Sequence, residues 1–215
     1  MFKDSLYFCA PSYHDIIVFL NSLNASWTAA TKRLSPQVLI ELLEKSGKEY
    51  YRHLAGLDPF AESLFPVSWA GQLRSENWFH TAREYTEKFI HQQQIREALG
   101  RQALFTKKLY YPFINTFMSA LPYTYRDIAA DTGTVITIKI SSAIGGQWNI
   151  RKTEKEWQIL SSPPRAAEST VIIKPELAWK LFSKGISPEE AAPGIVITGN
   201  RKIGEVVLNM ISVMA

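Results

Sequence analysis

The sequence contains one cysteine, no run of like charges and no long apolar stretch, and each shortage excludes a class of protein. A single cysteine, Cys9, rules out an internal disulfide and a cysteine-based zinc cluster, and fits a reducing cytosol. The 24 basic and 20 acidic residues are scattered, which argues against a dedicated nucleic-acid surface. No stretch has the length and apolarity of a membrane span, and residues 1–12 lack a signal-peptide core. We therefore expect a cytoplasmic protein without membrane or nucleic-acid partners.

The first half of the chain has the periodicity of helices. Of the 215 residues, 46% are hydrophobic and 12% aromatic, which is enough for one large domain or two small ones. Ser12 and Asp15 resemble a capping box before an amphipathic helix that ends near residue 33. Ser35 and Pro36 are typical of the start of a second helix, and Gly47 is expected to weaken or break it. Pro112 is expected to precede an apolar helix over 113–121, and Pro122 is expected to end it.

The second half changes to strand alternation near residue 126. We expect strands over 134–140, 147–152, 157–160, 170–173 and 195–198, with a turn at Gly145 and Gly146. Two helices are expected, one from Pro175 to Gly185 and an apolar one over 203–214. The sequence thus predicts an α+β protein, with a helical domain over 1–125 and an α+β domain over 126–215.

The longest predicted helix covers 77–99 and carries the main candidate site. Ser75 is placed as its N-cap and Gly100 as its end. An apolar stripe is expected to form its core face; it consists of Trp78, Ala82, Tyr85 and Phe89. On the other side Glu87 and His91 stand four residues apart, so both can reach one divalent cation of the zinc type. The spacing alone favours a solvated helix face with an acid beside a histidine over a metal site.

The residues of this helix resemble a known family. The run Ala82–Lys88, followed by His91–Arg96, is similar to the metal-binding helix of the mycothiol-dependent maleylpyruvate isomerase-like proteins, which belong to the DinB-like four-helix bundles. Phe19–Asn21, Ser35-Pro36 and Trp69–Gly71 show the same resemblance. The C-terminal half resembles the sterol-carrier-like domain that often follows the bundle, through Ala178–Leu181 and Ile197–Asn200.

The resemblance implies a divalent metal, usually zinc, held by Glu87, His91 and one histidine from an earlier helix. That earlier histidine belongs to a segment upstream of Met1, so we expect an incomplete site and two absent bundle helices. His53 repeats the Glu-x-x-x-His spacing and is a candidate substitute ligand. A surface residue near a helix end is the favoured interpretation, because the family does not place its ligand there. His14 and His80 are expected to make ordinary contacts, and Gln92–Gln94 to orient His91 or a bound ligand.

Three functions follow from the resemblance and from the missing histidine ligand. The first is a metal-dependent isomerase or transferase that uses a low-molecular-weight thiol on a small electrophile, with Lys184, or Lys180, facing the thiol or substrate. The second is a non-catalytic module that binds a small molecule or lipid in its sterol-carrier-like half. The third is a truncated, inactive family member. Because apolar faces of the helical half lack partners, we also expect a homodimer or aggregation through them.

Overall fold

The computed structural model describes residues 13–214, and it divides the chain into two compact units. The first unit runs to Asp58, and the second extends from Pro59 to Val213. The predicted capping box at Ser12 and the single cysteine lie outside the described residues. None of the helices within 13–214 is long and apolar enough to cross a bilayer.

The first unit contains two helices, α1 (Tyr13–Thr31) and α2 (Pro36–Ala55). The start of α2 confirms the sequence prediction, since Ser35 Oγ accepts a hydrogen bond from the Val38 amide at 3.3 Å and Pro36 occupies the first turn. The helix continues through Gly47 without a break. Neither helix has a fully buried side chain among those described.

The second unit contains a five-stranded sheet and six α-helices among its described residues, which confirms the predicted α+β class. The helices are α3 (Asn77–Ala98), α4 (Lys107–Phe117), α5 (Leu121–Thr124), α6 (Pro175–Phe182), α7 (Pro188–Ala191) and α8 (Arg201–Gly204). The strands are β1 (Val135–Ile140), β2 (Gly146–Lys152), β3 (Trp157–Ile159), β4 (Ser169–Ile173) and β5 (Ile195–Gly199). The strand order is β3-β2-β1-β4-β5, in which only β1 and β4 are parallel.

One face of the sheet is apolar and carries the core of the second unit. Its buried residues include Ile136, Ile138, Ile140, Ile150, Val171 and Ile173. On the other face Thr137 and Asn149 are buried as well, and the Thr137 hydroxyl donates to Asn149 Oδ1 at 2.8 Å. Helix α4 reaches the sheet through Trp148, whose Nε1 donates to Asn115 Oδ1 at 2.9 Å.

Helices α4 and α5 belong to the same unit as the sheet, so the predicted division between residues 125 and 126 lies inside one compact unit. The buried hydroxyl of Tyr110 donates to the Pro175 carbonyl at 3.0 Å, and that of Tyr125 donates to the Ile203 carbonyl at 3.1 Å. As a boundary between independently folding domains, residue 126 stays a prediction that limited proteolysis can test.

The predicted C-terminal helix over 203–214 is wrong for most of its length. Helix α8 ends at Gly204, a short 3₁₀ turn follows over Glu205–Asn209, and no helix covers 210–214. Ser212 explains the change, because its amide donates to the Phe182 carbonyl at 3.0 Å and its hydroxyl to the Phe117 carbonyl at 3.2 Å. These bonds fix a non-helical segment against α4 and α6.

Candidate functional site

Helix α3 positions both candidate sites of the second unit. Its bounds differ by one residue from the prediction, and Gly100, with a φ of 61°, follows its end as expected. Its predicted N-cap is wrong: the cap position is Glu76, without a side-chain bond. Ser75 Oγ instead accepts from the Val67 amide at 2.7 Å and donates to Gln72 Oε1 at 2.5 Å. The serine therefore holds the preceding loop rather than the helix.

The buried face of α3 is more polar than the predicted stripe. It consists of Phe79, Arg83, Thr86, Phe89, Ile90 and Gln93. Of the predicted stripe, Phe89 is buried, whereas Trp78 is 47% exposed. Thr86 is accommodated because its hydroxyl donates to the Arg83 carbonyl at 2.6 Å. Hydrogen bonding thus lets polar residues occupy positions that a hydrophobic pattern assigns to apolar ones.

Glu87 and His91 lie over the same turn of α3, with 3.8 Å between Glu87 Oε2 and His91 Nε2. His91 Nδ1 lies 2.9 Å from Gln94 Oε1, so the glutamine can fix the ring in the tautomer that leaves Nε2 free as a ligand. Burial raises the pKa of Glu87, and the His91 charge opposes that rise. His91 itself is exposed.

A third ligand for this pair is not found within the described residues. Across 13–214, no three side chains of the His, Cys, Asp or Glu type come close enough to share one ion. His80 lies near Arg83, with 2.8 Å between Nδ1 and Arg83 Nη2. His53 belongs to α2 in the first unit. The metal site at Glu87 and His91 stays a prediction.

A cavity of about 210 Å³ lies where the end of α3, the following loop and helix α6 meet. Its lining residues are Gln93, Arg96, Glu97, Arg101, Ala103, Phe105, Glu176, Trp179 and Lys180. Pro175 opens α6 and sets its direction, so Glu176, Trp179 and Lys180 project from successive turns toward one side. We name this space the α3–α6 cavity.

Two hydrogen-bond donors at the α3–α6 cavity have no partner in the described part of the chain. They are the side-chain amide nitrogen Nε2 of Gln93 and the Nε of Arg96. Gln93 is only 2% exposed, and its Oε1 accepts from the Leu104 amide at 3.2 Å, so Nε2 must be the orphaned group. Because these residues are three apart on α3, they lie on the same helix face.

The remaining walls of the cavity combine aromatic faces with charge. Trp179 is buried, and Phe105 stacks edge-on against Tyr110 with ring centroids 5.2 Å apart. Lys180 is paired with Glu97, and its ammonium lies 5.5 Å from the Trp179 ring centroid. Arg96 also donates through Nη1 to the Gln102 carbonyl at 2.9 Å. The cavity therefore offers apolar contact beside charged groups.

The predicted site residues divide between these two places. Lys180 lines the α3–α6 cavity, whereas Lys184 does not; it is exposed, with a φ of 60°, just beyond the end of α6. Among the three glutamines, Gln94 contacts His91 and Gln93 lines the cavity. The sequence presents Arg96 and Trp179 only as members of two separate runs that resemble a family. No pattern pairs them, because they are about 80 residues apart.

No family model matches the chain, and no curated protein sequence matches it. Solved structures that resemble it include one described as "UbiJ-SCP2 Ubiquinone synthesis protein", with 14% identity and a TM-score of 0.29, covering 37% of this chain and 69% of that one. Another is the sterol carrier protein domain 2 of Helicoverpa armigera, with 18% identity and a TM-score of 0.29, covering 47% of this chain and 78% of that one. Both are sterol carrier protein domains, the group that residues 126–215 resemble. With TM-scores this low, neither likeness defines the fold or the ligand of this chain.

Proposed function

We propose that this protein is a non-catalytic binding module, and that its ligand is a small molecule held in the α3–α6 cavity. The observation that carries the proposal is the cavity itself, about 210 Å³ in volume, with the rings of Trp179 and Phe105 in its walls. Aromatic walls beside a few charged groups are typical of sites that hold a small molecule.

The composition of the cavity favours binding over chemistry. Its lining contains no histidine, cysteine, serine or threonine, and of its two carboxylates, Glu97 and Glu176, the first is paired with Lys180. The ammonium of Lys180 is engaged in an ion pair with Glu97. Trp179 and Phe105 offer apolar contact for the body of a ligand, and a few polar groups fix its orientation.

The test is a ligand screen read by two-dimensional NMR on the full chain. Small aromatic and aliphatic compounds, charged and neutral, should shift the indole resonance of Trp179 and the side-chain amide of Gln93. Trp179→Phe should weaken binding of any such compound. Trp78→Phe is the matched control, because Trp78 lies outside this cavity, and it should leave binding unchanged. A screen in which no compound moves either resonance would contradict the proposal.

A second candidate is the metal- and thiol-dependent isomerase or transferase implied by the family resemblance. The observation that favours it is the pair of donors 3.8 Å apart, with Gln94 placed to orient His91. A catalytic zinc site needs three protein ligands and a water. The described residues supply two, so they do not fit a catalytic ion, and we assign no reaction step or thiol site to Lys184.

The metal prediction is tested by equilibrium dialysis against zinc, followed by elemental analysis. We expect weak binding that dialysis removes, and further loss in His91→Gln. His53→Gln is the control and should have no effect. Stoichiometric zinc that survives dialysis, together with turnover of maleylpyruvate in the presence of a thiol, would favour the enzyme over the binding module.

A further inference from the structure

A second cavity lies in the loop that precedes α3, and it shares no lining residue with the α3–α6 cavity. It has a volume of about 440 Å³ and opens to solvent. Backbone hydrogen bonds fix its walls: the Ser63 amide donates to the Ser75 carbonyl at 2.8 Å, and the Trp78 amide donates to the Pro59 carbonyl at 2.9 Å. The two chain segments therefore run antiparallel, and we name the cavity at this pair of segments the loop cleft.

Two exposed aromatic side chains line the loop cleft. Phe60 is 74% exposed and Trp78 is 47% exposed. The Trp78 indole stacks on Phe79, with ring centroids 5.0 Å apart and an interplanar angle of 11°, so its accessible surface is the opposite face and the ring edge. The face of an aromatic ring is negative and attracts cations. A ligand can therefore reach both rings, and a cation is the charge that they attract.

Two carboxylates stand opposite one another at the loop cleft. Glu62 and Glu76 form an antiparallel bridge pair, and both are exposed. Like charges at directly opposite positions of such a pair are destabilising. Arg74 Nε lies 3.7 Å from Glu62 Oε1, whereas Glu76 Oε2 accepts from the neutral indole nitrogen of Trp78 at 2.6 Å. Two carboxylates against one guanidinium leave one negative charge at the cleft, which a monocation neutralises.

The start of α3 does not turn this place into an anion site. Free amides at a helix N-terminus bind anions, but here the loop already satisfies the first of them. The Asn77 amide donates to the Ala61 carbonyl at 3.0 Å, and the Trp78 amide is taken by Pro59. The exposed carboxylates therefore determine which charge the cleft prefers.

The Trp78 indole joins the aromatic wall to the negative charge. Because its N–H donates to the Glu76 carboxylate, an anion lies at the edge of the same ring whose face is exposed. A compact cation over that ring is attracted by the ring face and by Glu76 together. Within the described residues, no third carboxylate or histidine joins Glu62 and Glu76 to hold a metal ion. This favours an organic cation, which needs aromatic contact rather than several oxygen ligands.

We infer that the loop cleft binds a small quaternary or methylated ammonium group, such as that of choline, on the exposed face of Trp78. Glu62 and Glu76 select its positive charge, and Phe60 offers apolar contact for its methyl groups. Arg74 opposes binding, because its charge repels the ligand. This site lies apart from the α3–α6 cavity, so each of the two proposals can fail without the other.

The test compares choline with 3,3-dimethyl-1-butanol, in which carbon replaces the nitrogen, so the shape is nearly the same and the charge is absent. Titrations of the full chain are followed by NMR at the Trp78 indole resonance, which is assigned by its loss in Trp78→Phe. Choline should bind at least about fivefold more tightly than the alcohol, the factor expected for one cation–π contact. Methyl glucoside, a neutral compound that also lies on aromatic rings, should bind no more tightly than the alcohol.

Two charge variants should act in opposite directions. Glu76→Gln keeps an oxygen for the Trp78 indole nitrogen and removes a negative charge, so it should weaken choline binding about threefold. Arg74→Gln removes the competing cation and should strengthen binding by about the same factor. A purely structural role would lower the affinity in both variants. Arg165→Gln, the same change at an exposed position outside the cleft, should have no effect.

Cosedimentation with phosphatidylcholine vesicles identifies the source of the ammonium group. Sedimentation that excess choline prevents would support a lipid headgroup, and choline binding without sedimentation would support a soluble compound. Equal affinity for choline and the alcohol, or no shift of the Trp78 resonance by choline, would refute the cation site. Tighter binding of methyl glucoside than of choline, or weaker choline binding in Arg74→Gln, would also refute it.

Discussion

At the scale of single residues, the site depends on polar side chains that a hydrophobic pattern cannot place. Thr86 and Gln93 are buried on α3 because each finds a backbone partner, the Arg83 carbonyl and the Leu104 amide. The sequence indicates Gln93 only as one of three glutamines near His91. Its role at the cavity depends on residue 104 and on α6, contacts that helical periodicity does not contain.

The buried tyrosines predict a loss of stability at alkaline pH. Burial raises the pKa of Tyr125 and, with a smaller contribution from Glu176, that of Tyr110. Above about pH 10 the unfolded chain releases the phenolic protons while the folded chain keeps them, so the free energy of unfolding falls as pH rises. Each such tyrosine contributes about 1.4 kcal/mol per pH unit in this range.

The Tyr125→Phe variant tests the direction and the magnitude of this pH dependence of stability. Urea denaturation between pH 8 and 11 should show a slope above pH 10 that is smaller by about 1.4 kcal/mol per pH unit than in the unaltered protein. The variant should also lose about 1 kcal/mol at pH 7, because its hydrogen bond to Ile203 is gone. Tyr123→Phe, two residues earlier and at a side chain that is 40% exposed, is the control. An unchanged alkaline slope in Tyr125→Phe would contradict the account.

At the scale of elements, the strands were the most predictable part. Alternation over β1 and the Gly145-Gly146 turn predict the first hairpin within one residue, because a half-covered sheet imposes a period of two. The prolines predict the starts and ends of helices less reliably. Pro112 lies inside α4 and Pro122 in the first turn of α5, where each was expected to start or stop a helix.

Helix α4 tolerates Pro112 because its buried face outweighs one missing hydrogen bond. Tyr110, Phe113, Ile114 and Phe117 are all fully buried, and the Phe113 ring stacks on Phe89 with centroids 4.4 Å apart. Proline in a helix interior costs about 3 kcal/mol relative to alanine. Burial of one such aromatic side chain contributes a comparable amount.

Substitution of this proline should therefore stabilise the protein. Pro112 is exposed, so Pro112→Ala restores an amide to the helix without disturbing the core, and we expect about 1–3 kcal/mol of added stability in urea. Pro188, in the first turn of α7, is the matched control. There proline costs the helix nothing and restricts the unfolded chain, so Pro188→Ala should destabilise by about 0.4–1 kcal/mol. Destabilisation by Pro112→Ala would refute this explanation of α4.

At the scale of the whole molecule, the first unit exposes an unusual amount of apolar surface. Its large apolar side chains include Trp27, which is 66% exposed, and Leu43, which is 70% exposed. The others are Val18, Leu23, Leu34, Val38, Ile40, Leu42 and Tyr51. Eight of these nine described side chains lie on α1 and α2, and Leu34 lies between the two helices. A stable dimer buries about 800 Å² on each partner, and exposed apolar side chains clustered in this way are typical of an association surface.

We propose that a second copy of this chain covers these helices, as the sequence predicts. Sedimentation velocity over a hundredfold range of concentration should show a monomer–dimer equilibrium. The double variant Trp27→Gln, Leu43→Gln should weaken the dimer at least tenfold, because it removes apolar burial at both helices. Leu73→Gln, a 93% exposed leucine of the second unit, is the control. A monomer at every concentration would contradict the proposal.

The central claim is that the α3–α6 cavity holds a small molecule against Trp179. The most direct measurement is a crystal structure of the full chain with 4-bromobenzoate as the probe, in which anomalous scattering locates the bromine independently of the protein. We predict the bromine inside the cavity, beside the Trp179 ring. Bromine found only elsewhere on the protein, at ligand concentrations that saturate binding in solution, would contradict the account.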